Sequence, residues 1–352
     1  MKRLVIFPYN PDIEILVRNK ELLNGFSLAG VCSYKEDWRL TKKINEELGV
    51  ENDEDKMIDQ CDILLLAENY RNFNMEKYYD ILDKAVERNK EILVSPRLRE
   101  MLDLKKYKGE YSFLQKGIKR TKGNEGEKYV IEVPVIAVEG MGKNCSKFEN
   151  QIDLKKMLER NGYQVSWISS NELAMLFGGT VFPASFYSDK RSFEKKVLLC
   201  MRYLYTISIS EKPDVMIVGI PGGIAEFEAN EKNHYGEYAL IVGNAVQIDS
   251  SILCLYFEER VSSKGIEELS NYVKNRCFLP VRAVSIGKNT YQIDEGMEEE
   301  ISYLFLQQEY LKKYSAEPNK NRIPIFRIWE DEERELALKR IVDELQENAY
   351  CL

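Results

Sequence analysis

Short apolar runs alternate with segments of helical period along the N-terminal part of the chain. The strand-like runs are RLVIFPY, FSLAGVCSY, CDILLLAE and EILVS, and segments such as YYDILDKAVERN place apolar residues at helical spacing between them. Gly25 and Gly49 fall where helices end. Apolar strands that alternate with helices are typical of a parallel sheet covered on both faces. Residues 1–104 are therefore predicted to form an α/β domain.

The first turn of this domain lacks the glycine pattern of a dinucleotide site. Pro8, Tyr9, Asn10 and Pro11 stand where a Rossmann fold carries G-x-G-x-x-G. The domain is therefore predicted to be Rossmann- or flavodoxin-like, with only a weak indication of dinucleotide binding. Glu68 ends the CDILLLAE run, at the edge where open α/β sheets bind ligands, although a role in an edge loop is the simpler interpretation.

A second series of strands and helices follows a charged segment. Residues 105–132 are rich in Lys and Gly and are predicted to be a linker. The strands predicted beyond it are VPVIAVEG, YQVSWISS, DVMIVGI, SILCLYFE and FLPVRAVSIG, and the helices are 147–160, 171–177, 193–208, 237–246, 265–276, 297–314 and 330–348. Residues 133–352 are therefore predicted to be a second parallel α/β domain with helices at its C-terminal end.

Composition narrows the classes of function. Apolar residues make up 44% of the 352 residues and charged residues 31%, as in a packed globular protein. The net charge of −8 argues against a nucleic-acid partner, because such proteins usually carry a basic surplus. No apolar stretch approaches the ~18 residues that a membrane-spanning helix needs, and the N-terminus lacks the features of a signal peptide. We therefore expect a cytoplasmic protein with no membrane partner.

Cysteine and histidine counts argue against several metal and nucleophile sites. The seven cysteines are scattered without a C-x-x-C pair, and His234 is the single histidine. A structural zinc, an iron–sulfur cluster and a Ser-His-Asp triad are therefore not expected.

The loop GMGKNCSKF has the layout of a phosphate-binding loop. It follows the apolar run VPVIAVEG and precedes an amphipathic helix, so its backbone N–H groups and the positive end of the helix dipole would face an anion. The predicted binding residues in this loop are Gly140, Gly142, Lys143, Asn144, Ser146 and Lys147. The expected ligand is ATP or GTP with Mg²⁺, or another anion.

Two positions depart from a working NTPase loop. Ser146 replaces the second glycine of the motif. A left-handed backbone conformation is less favourable for serine than for glycine by about 1 kcal/mol. Phe148 replaces the hydroxyl that coordinates Mg²⁺. The nearby carboxylates are Glu139, Glu149 and Asp153, and Glu149 is the predicted substitute ligand. The loop is therefore degenerate, and a fold that retains the turn only for packing remains an alternative.

A second glycine turn is predicted to lie on the same edge. DVMIVGIPGGI ends an apolar strand with Gly222 and Gly223, whose amides would face an anion. This strand supplies no carboxylate at its end, so Glu226 is the second predicted metal ligand. A tight turn between strand and helix is the structural alternative.

Several segments together resemble a clostridial peptide-maturation-system family. They are GMGKNCSKFENQIDL, NGYQVSWISSNELAMLFG, PDVMIVGIPGGI and YGEYALIVGNAVQIDSSIL, in that order. The resemblance implies a role in maturing ribosomally made peptides, with a precursor peptide or a radical-SAM maturase as partner. The spacing of Gly140 and Lys147 is also similar to that of dethiobiotin-synthetase-like P-loop proteins, which implies a P-loop NTPase-like second domain.

Three functions remain open from the sequence. The first is an accessory maturation factor that binds a nucleotide or other anion. The second is an ATP- or GTP-dependent ligase, or an acyl-transfer enzyme, acting on an amino acid or peptide. The third is a scaffold without enzymatic activity. The sequence leaves open whether the protein is an enzyme.

Overall fold

The computed structural model describes residues 1–69, 73–114, 129–187, 190–226, 234–294, 300–314 and 322–349. The chain divides into two compact units, each treated by itself below. Unit 1 comprises residues 1–117 and 171–181, and unit 2 comprises residues 118–170 and 182–352. Most of the predicted linker, residues 115–128, lies outside the described residues.

Unit 1 is built from short strands and helices that alternate along the chain. Its strands are β1 (Lys2–Phe7), β2 (Phe26–Val31), β3 (Ile63–Leu66), β4 (Glu91–Val94) and β5 (Tyr111–Phe113). Its helices are α1 (Asp12–Arg18), α2 (Trp38–Glu47), α3 (Glu54–Gln60) and α4 (Met75–Glu87). A 3-10 turn at Glu172–Phe177 and the short strand β8 (Thr180–Val181) belong to its second segment.

The sheet of unit 1 has the order β2-β1-β3-β4-β5, and its neighbouring strands are parallel. The last four residues of β1, all of β3 and most of β4 are buried, and the core joins Phe7 of β1 to Tyr78 of α4, whose ring centroids lie 5.2 Å apart. The predicted parallel α/β arrangement of this part of the chain is confirmed.

Unit 2 contains the longer sheet. The strands of this sheet within the unit are β6 (Val135–Gly140), β7 (Val165–Ser169), β9 (Val215–Gly219), β10 (Ser250–Leu255), β11 (Val281–Ile286) and β14 (Ile325–Arg327). A separate two-stranded sheet consists of β12 (Asn289–Asp294) and β13 (Glu300–Phe305). The helices of unit 2 are α5 (Lys147–Arg160), α6 (Phe193–Glu211), α7 (Glu237–Ala245), α8 (Ser263–Cys277), α9 (Gln308–Leu311) and α10 (Asp331–Ala349).

Strand β6 occupies the middle of this sheet. The order β14-β11-β10-β6-β9-β7 is parallel throughout, and Val138 of β6 pairs with Ile252 on one side and Gly219 on the other. Every residue of β6 is buried, as its apolar run predicts. The loop that follows Gly140 therefore leaves the carboxyl edge of a central strand, where ligands bind in open α/β sheets.

The helix predicted over 297–314 is wrong. Residues 300–305 form β13, which pairs antiparallel with β12, and only Gln308–Leu311 is helical. Ile301 and Tyr303 are half-buried whereas Ser302 and Leu304 are exposed, and that period of two fits a strand pair. The helix predicted over 171–177 is a 3-10 turn. No helix among the described residues is long and apolar enough to cross a membrane.

Candidate phosphate-binding site

The loop between β6 and α5 contains two residues in the left-handed conformation. Asn144 has a φ of 55° and Ser146 a φ of 63°. When right-handed and left-handed residues alternate along the backbone, successive N–H groups point toward the same side and form an anion-binding nest. Gly140 approaches Cys145 and Lys147 so closely that a Cβ would collide with the Cys145 thiol, so this position requires glycine.

Two side chains from outside the loop donate hydrogen bonds to carbonyl groups of the loop. The hydroxyl of Tyr256 donates to the carbonyl of Lys143 at 2.7 Å, and Asn289 Nδ2 donates to the carbonyl of Asn144 at 2.6 Å. Because the peptide bond is planar and trans, each bonded carbonyl turns the next residue's N–H to the opposite side. The amides of Asn144 and Cys145 therefore point away from these two side chains.

The amide N–H groups of Asn144, Ser146 and Lys147 donate no hydrogen bond to any residue that the structure describes, whereas that of Cys145 closes the turn at Lys143 and Asn144. Helix α5 also begins without a side-chain cap. Unsatisfied N–H groups at a helix N-terminus carry partial positive charge and favour an anion.

The ammonium group of Lys147 joins the loop to the second glycine turn. Nζ donates to the carbonyl of Gly142 at 2.9 Å and to the carbonyl of Gly222. The side chain is buried, and within the described ranges no carboxylate oxygen lies within ion-pair distance of Nζ. Both acceptors are neutral, and an ammonium has three donors, so Lys147 can still donate to an anion.

The second glycine turn lies directly against the loop. The amides of Ile224 and Ala225 donate to the carbonyls of Gly140 and Met141 at 3.1 and 2.9 Å. A Cβ on Gly223 would overlap the backbone of Gly142, so only glycine permits this approach. The structure thus brings residues 140–147 together with Gly222 and Gly223, although their role in binding stays a prediction.

Phe148 lies on the inner side of α5. Its ring is buried and stacks on Trp167 of β7, with centroids 5.8 Å apart and an interplanar angle of 22°. The position that supplies a metal-binding hydroxyl in a working NTPase is therefore used for packing between helix and sheet.

The predicted metal ligands Glu149 and Glu226 have different surroundings. Glu149 Oε1 accepts a hydrogen bond from Lys288 Nζ at 2.8 Å, and Asp153 forms an ion pair with Arg334 at 3.2 Å. Glu226 is exposed after the second glycine turn. Among the described residues no three His, Cys, Asp or Glu side chains cluster as a metal site would require. The assignment of Glu149 and Glu226 to a metal stays a prediction.

Glu139 has an environment that the sequence pattern does not reveal, since the sequence marks it only as a carboxylate near the loop. Its side chain is 1% exposed at the end of β6, and Oε1 accepts from the amide of Gly140 at 2.6 Å. Oε2 is buried without a hydrogen-bond partner among the described residues. Burial raises the pKa of Glu139 to about 7, against the opposing effects of Lys147 and the Gly140 amide. An acidic residue inside an apolar strand is the one signal that the sequence offers.

Unit 1 carries a separate cavity at the carboxyl edge of its own sheet. Its lining includes Asn10, Glu68, Ser95 and Glu172. Arg97 forms an ion pair with Glu68 at 3.0 Å, and Ser95 donates to Glu172. Burial raises the pKa of Glu172, while Arg97 opposes that shift. Glu68 therefore belongs to a connected polar cluster.

No protein-family profile and no curated protein matches this sequence. In structure the chain is similar to a DUF1611 family protein from Anabaena variabilis, with a TM-score of 0.53 and 10% identity over 82% of this chain and 88% of that one. A nucleotide-binding protein from Archaeoglobus fulgidus, solved in complex with ADP, matches 58% of this chain and 86% of its own with a TM-score of 0.31 and 16% identity. The first likeness supports the parallel α/β fold and leaves the peptide-maturation resemblance untested.

Proposed function

We propose that unit 2 binds the phosphate chain of a nucleotide, ATP or GTP, at residues 140–147. The observation that carries this proposal is the buried ammonium of Lys147, whose bonded acceptors are two neutral carbonyls. A buried charge without an ion-pair partner is costly, and Glu139, the carboxyl group that interacts electrostatically with Lys147, has its pKa raised to about 7 by burial. An anion at this place would therefore be favoured.

The backbone supports the same assignment. The amides of Asn144, Ser146 and Lys147 have no acceptor among the described residues, Asn144 and Ser146 are left-handed, and α5 begins in the same stretch. Together they supply the N–H groups and the helix dipole that bind phosphate in loops of this kind.

Titration calorimetry of the full chain with ATP, GTP and their Mg²⁺ complexes tests the proposal. We expect Lys147→Met to weaken binding roughly ten- to a hundredfold, because a charge-assisted hydrogen bond contributes about 1.5–3 kcal/mol. Lys264→Met is the matched control, since Lys264 is an exposed lysine on α8. Absence of binding by the wild-type protein, or equal binding by both variants, would refute the proposal.

We further propose that this nucleotide site serves a ribosomal-peptide maturation system, in which the partner is a precursor peptide or a radical-SAM maturase. The support is the motif resemblance of residues 140–154 and the segments after it. Co-purification of the tagged protein with the precursor and the maturase, with and without nucleotide, tests this role. Failure to retain either partner under both conditions counts against it.

A further inference from the structure

Glu139 places a buried carboxyl group at the start of the phosphate loop. It is the last residue but one of β6, directly precedes Gly140, and is 1% exposed. Oε1 accepts a hydrogen bond from the amide of Gly140 at 2.6 Å, whereas Oε2 is buried and has no hydrogen-bond partner in the part of the chain that the structure describes. Because Oε1 is already an acceptor, a proton on this group would lie on Oε2.

The ionised form of Glu139 has little to compensate its charge. Within the described ranges no basic nitrogen forms an ion pair with this carboxylate, and Lys147 acts on it only through a longer electrostatic interaction. A buried carboxyl group with one hydrogen bond and no close cation favours its neutral form. In agreement with these contacts, burial raises the pKa of Glu139 to about 7.

The side chain of Lys147 passes beside the same residues. A Cβ on Gly140 would lie 3.1 Å from Lys147 Cδ, and Nζ donates to the carbonyls of Gly142 and Gly222. When Glu139 is ionised, its charge partly compensates the charge of Lys147. When Glu139 is protonated, the charge of Lys147 remains for an anion held by the loop.

Three buried thiols also interact electrostatically with Glu139. They come from the loop, from β10 and from α8, and they are Cys145, Cys254 and Cys277. Burial raises the pKa of each, so all three remain neutral thiols between pH 6 and 8. Among the described groups that face one another here, Glu139 is therefore the acid whose charge changes in that range.

We propose that Glu139 controls the affinity of the phosphate loop by its protonation, so that the loop takes up a proton when it binds its anion above neutral pH. This inference rests on the proposed function, because the anion is the phosphate chain of the nucleotide bound at residues 140–147. A bound phosphate adds negative charge near the carboxyl group and disfavours the ionised form of Glu139. By reciprocity, ionisation of Glu139 weakens the binding of the phosphate.

The size of this coupling follows from the ionisation of Glu139. At pH 6 most of the free protein carries the proton, so binding requires no further proton. At pH 8 most of it has lost the proton, because the pKa is about 7. The Kd of the wild-type protein should therefore increase by up to about tenfold from pH 6 to pH 8, and the full change is reached if the complex stays protonated.

Titration calorimetry of the full chain with MgATP and MgGTP at pH 6, 7 and 8 tests the proposal. Two phosphate-free buffers with different ionisation enthalpies report the protons exchanged. The wild-type heats should show an uptake approaching about one proton per nucleotide at pH 8 and little at pH 6. This measurement needs no variant, and the triphosphate of MgATP is itself ionised at pH 8 because Mg²⁺ favours its charged form.

Glu139→Gln keeps an acceptor for the Gly140 amide but cannot ionise. The ratio of the wild-type Kd to the Kd of this variant should rise by up to about tenfold between pH 6 and pH 8, and the variant should take up no proton at pH 8. Any ionisation of the nucleotide is common to both proteins and cancels in this ratio. Glu268→Gln, at an exposed position on α8, is the matched control and should follow the wild-type protein.

The possible outcomes separate the two proposals. Nucleotide binding with the same Kd at pH 6 and pH 8 and no proton uptake would overturn the role of Glu139 and leave the proposed function standing. The role is also overturned, and the proposed function is not, if Glu139→Gln keeps the wild-type pH dependence. A wild-type protein that binds no nucleotide at any of these pH values would overturn both.

Discussion

The buried carboxyl group of Glu139 should make the stability of unit 2 depend on pH. Its pKa is about 7 in the folded protein because burial disfavours the charged form, whereas the ordinary value for this group is 4.5. Between these two pH values the native state holds a proton that the unfolded chain has lost. The native state is therefore stabilised by protonation, fully below pH 4.5, and this contribution is lost as the pH rises through 7.

The size of the effect follows from the same shift. One pKa unit corresponds to about 1.4 kcal/mol, so the change from 4.5 to about 7 corresponds to about 3 kcal/mol of unfolding free energy. Glu139→Gln keeps an oxygen that can accept from the Gly140 amide but removes the ionisation. Relative to wild type, the variant should therefore gain about 3 kcal/mol between pH 4.5 and pH 8.

Urea unfolding at pH 5, 6, 7 and 8 measures this difference. The wild-type free energy of unfolding should fall across the series more steeply than that of Glu139→Gln, with similar m-values. Glu268→Gln, at an exposed site on α8, is the control and should follow the wild-type curve. Parallel pH curves for wild type and Glu139→Gln would refute the reasoning, because they would show that folding leaves the pKa of this carboxyl group unchanged.

Four further substitutions have definite expected outcomes in the same unfolding assay. Gly223→Ala should cost 2 kcal/mol or more, because its Cβ would overlap the backbone of Gly142, whereas Gly265→Ala, with no atom closer than 3.6 Å, should be neutral or stabilising. Ser146→Gly should stabilise by up to about 1 kcal/mol, since φ is 63° and the hydroxyl caps nothing. Phe148→Ala should cost about 3–5 kcal/mol, and a smaller loss would contradict its packing role.

Sequence periodicity predicts the helices and strands whose apolar residues recur at a single period. Helix α5 spans Lys147–Arg160, as its spacing of apolar residues indicates, and β6 is buried throughout, as its apolar run indicates. The prediction fails at residues 300–305 because their acidic flank favours a helix, while strand β13 depends on pairing with β12. That pairing is a tertiary interaction, which overrides local preference.

The site is predictable only where its geometry is local. The glycines and lysines of residues 140–147 are adjacent in the chain, so their pattern can be recognised. The raised pKa of Glu139 depends on burial among several strands, and the hydrogen bond from Tyr256 to the carbonyl of Lys143 joins residues that are far apart in the chain. Neither arrangement produces a recurring period or a fixed residue spacing in the sequence.

Phosphate binding and metal binding depend on different parts of this loop. The amides that would hold an anion are oriented by the backbone at Asn144 and Ser146 and by the hydrogen bonds from Tyr256 and Asn289. Phe148 contributes to neither, because its side chain leaves the loop to pack on Trp167. The missing hydroxyl therefore removes one metal ligand, while the backbone amides proposed to hold an anion keep their orientation. A hydroxyl at this position would sacrifice buried apolar contact, so the packing of Phe148 is compatible with the phosphate binding proposed here.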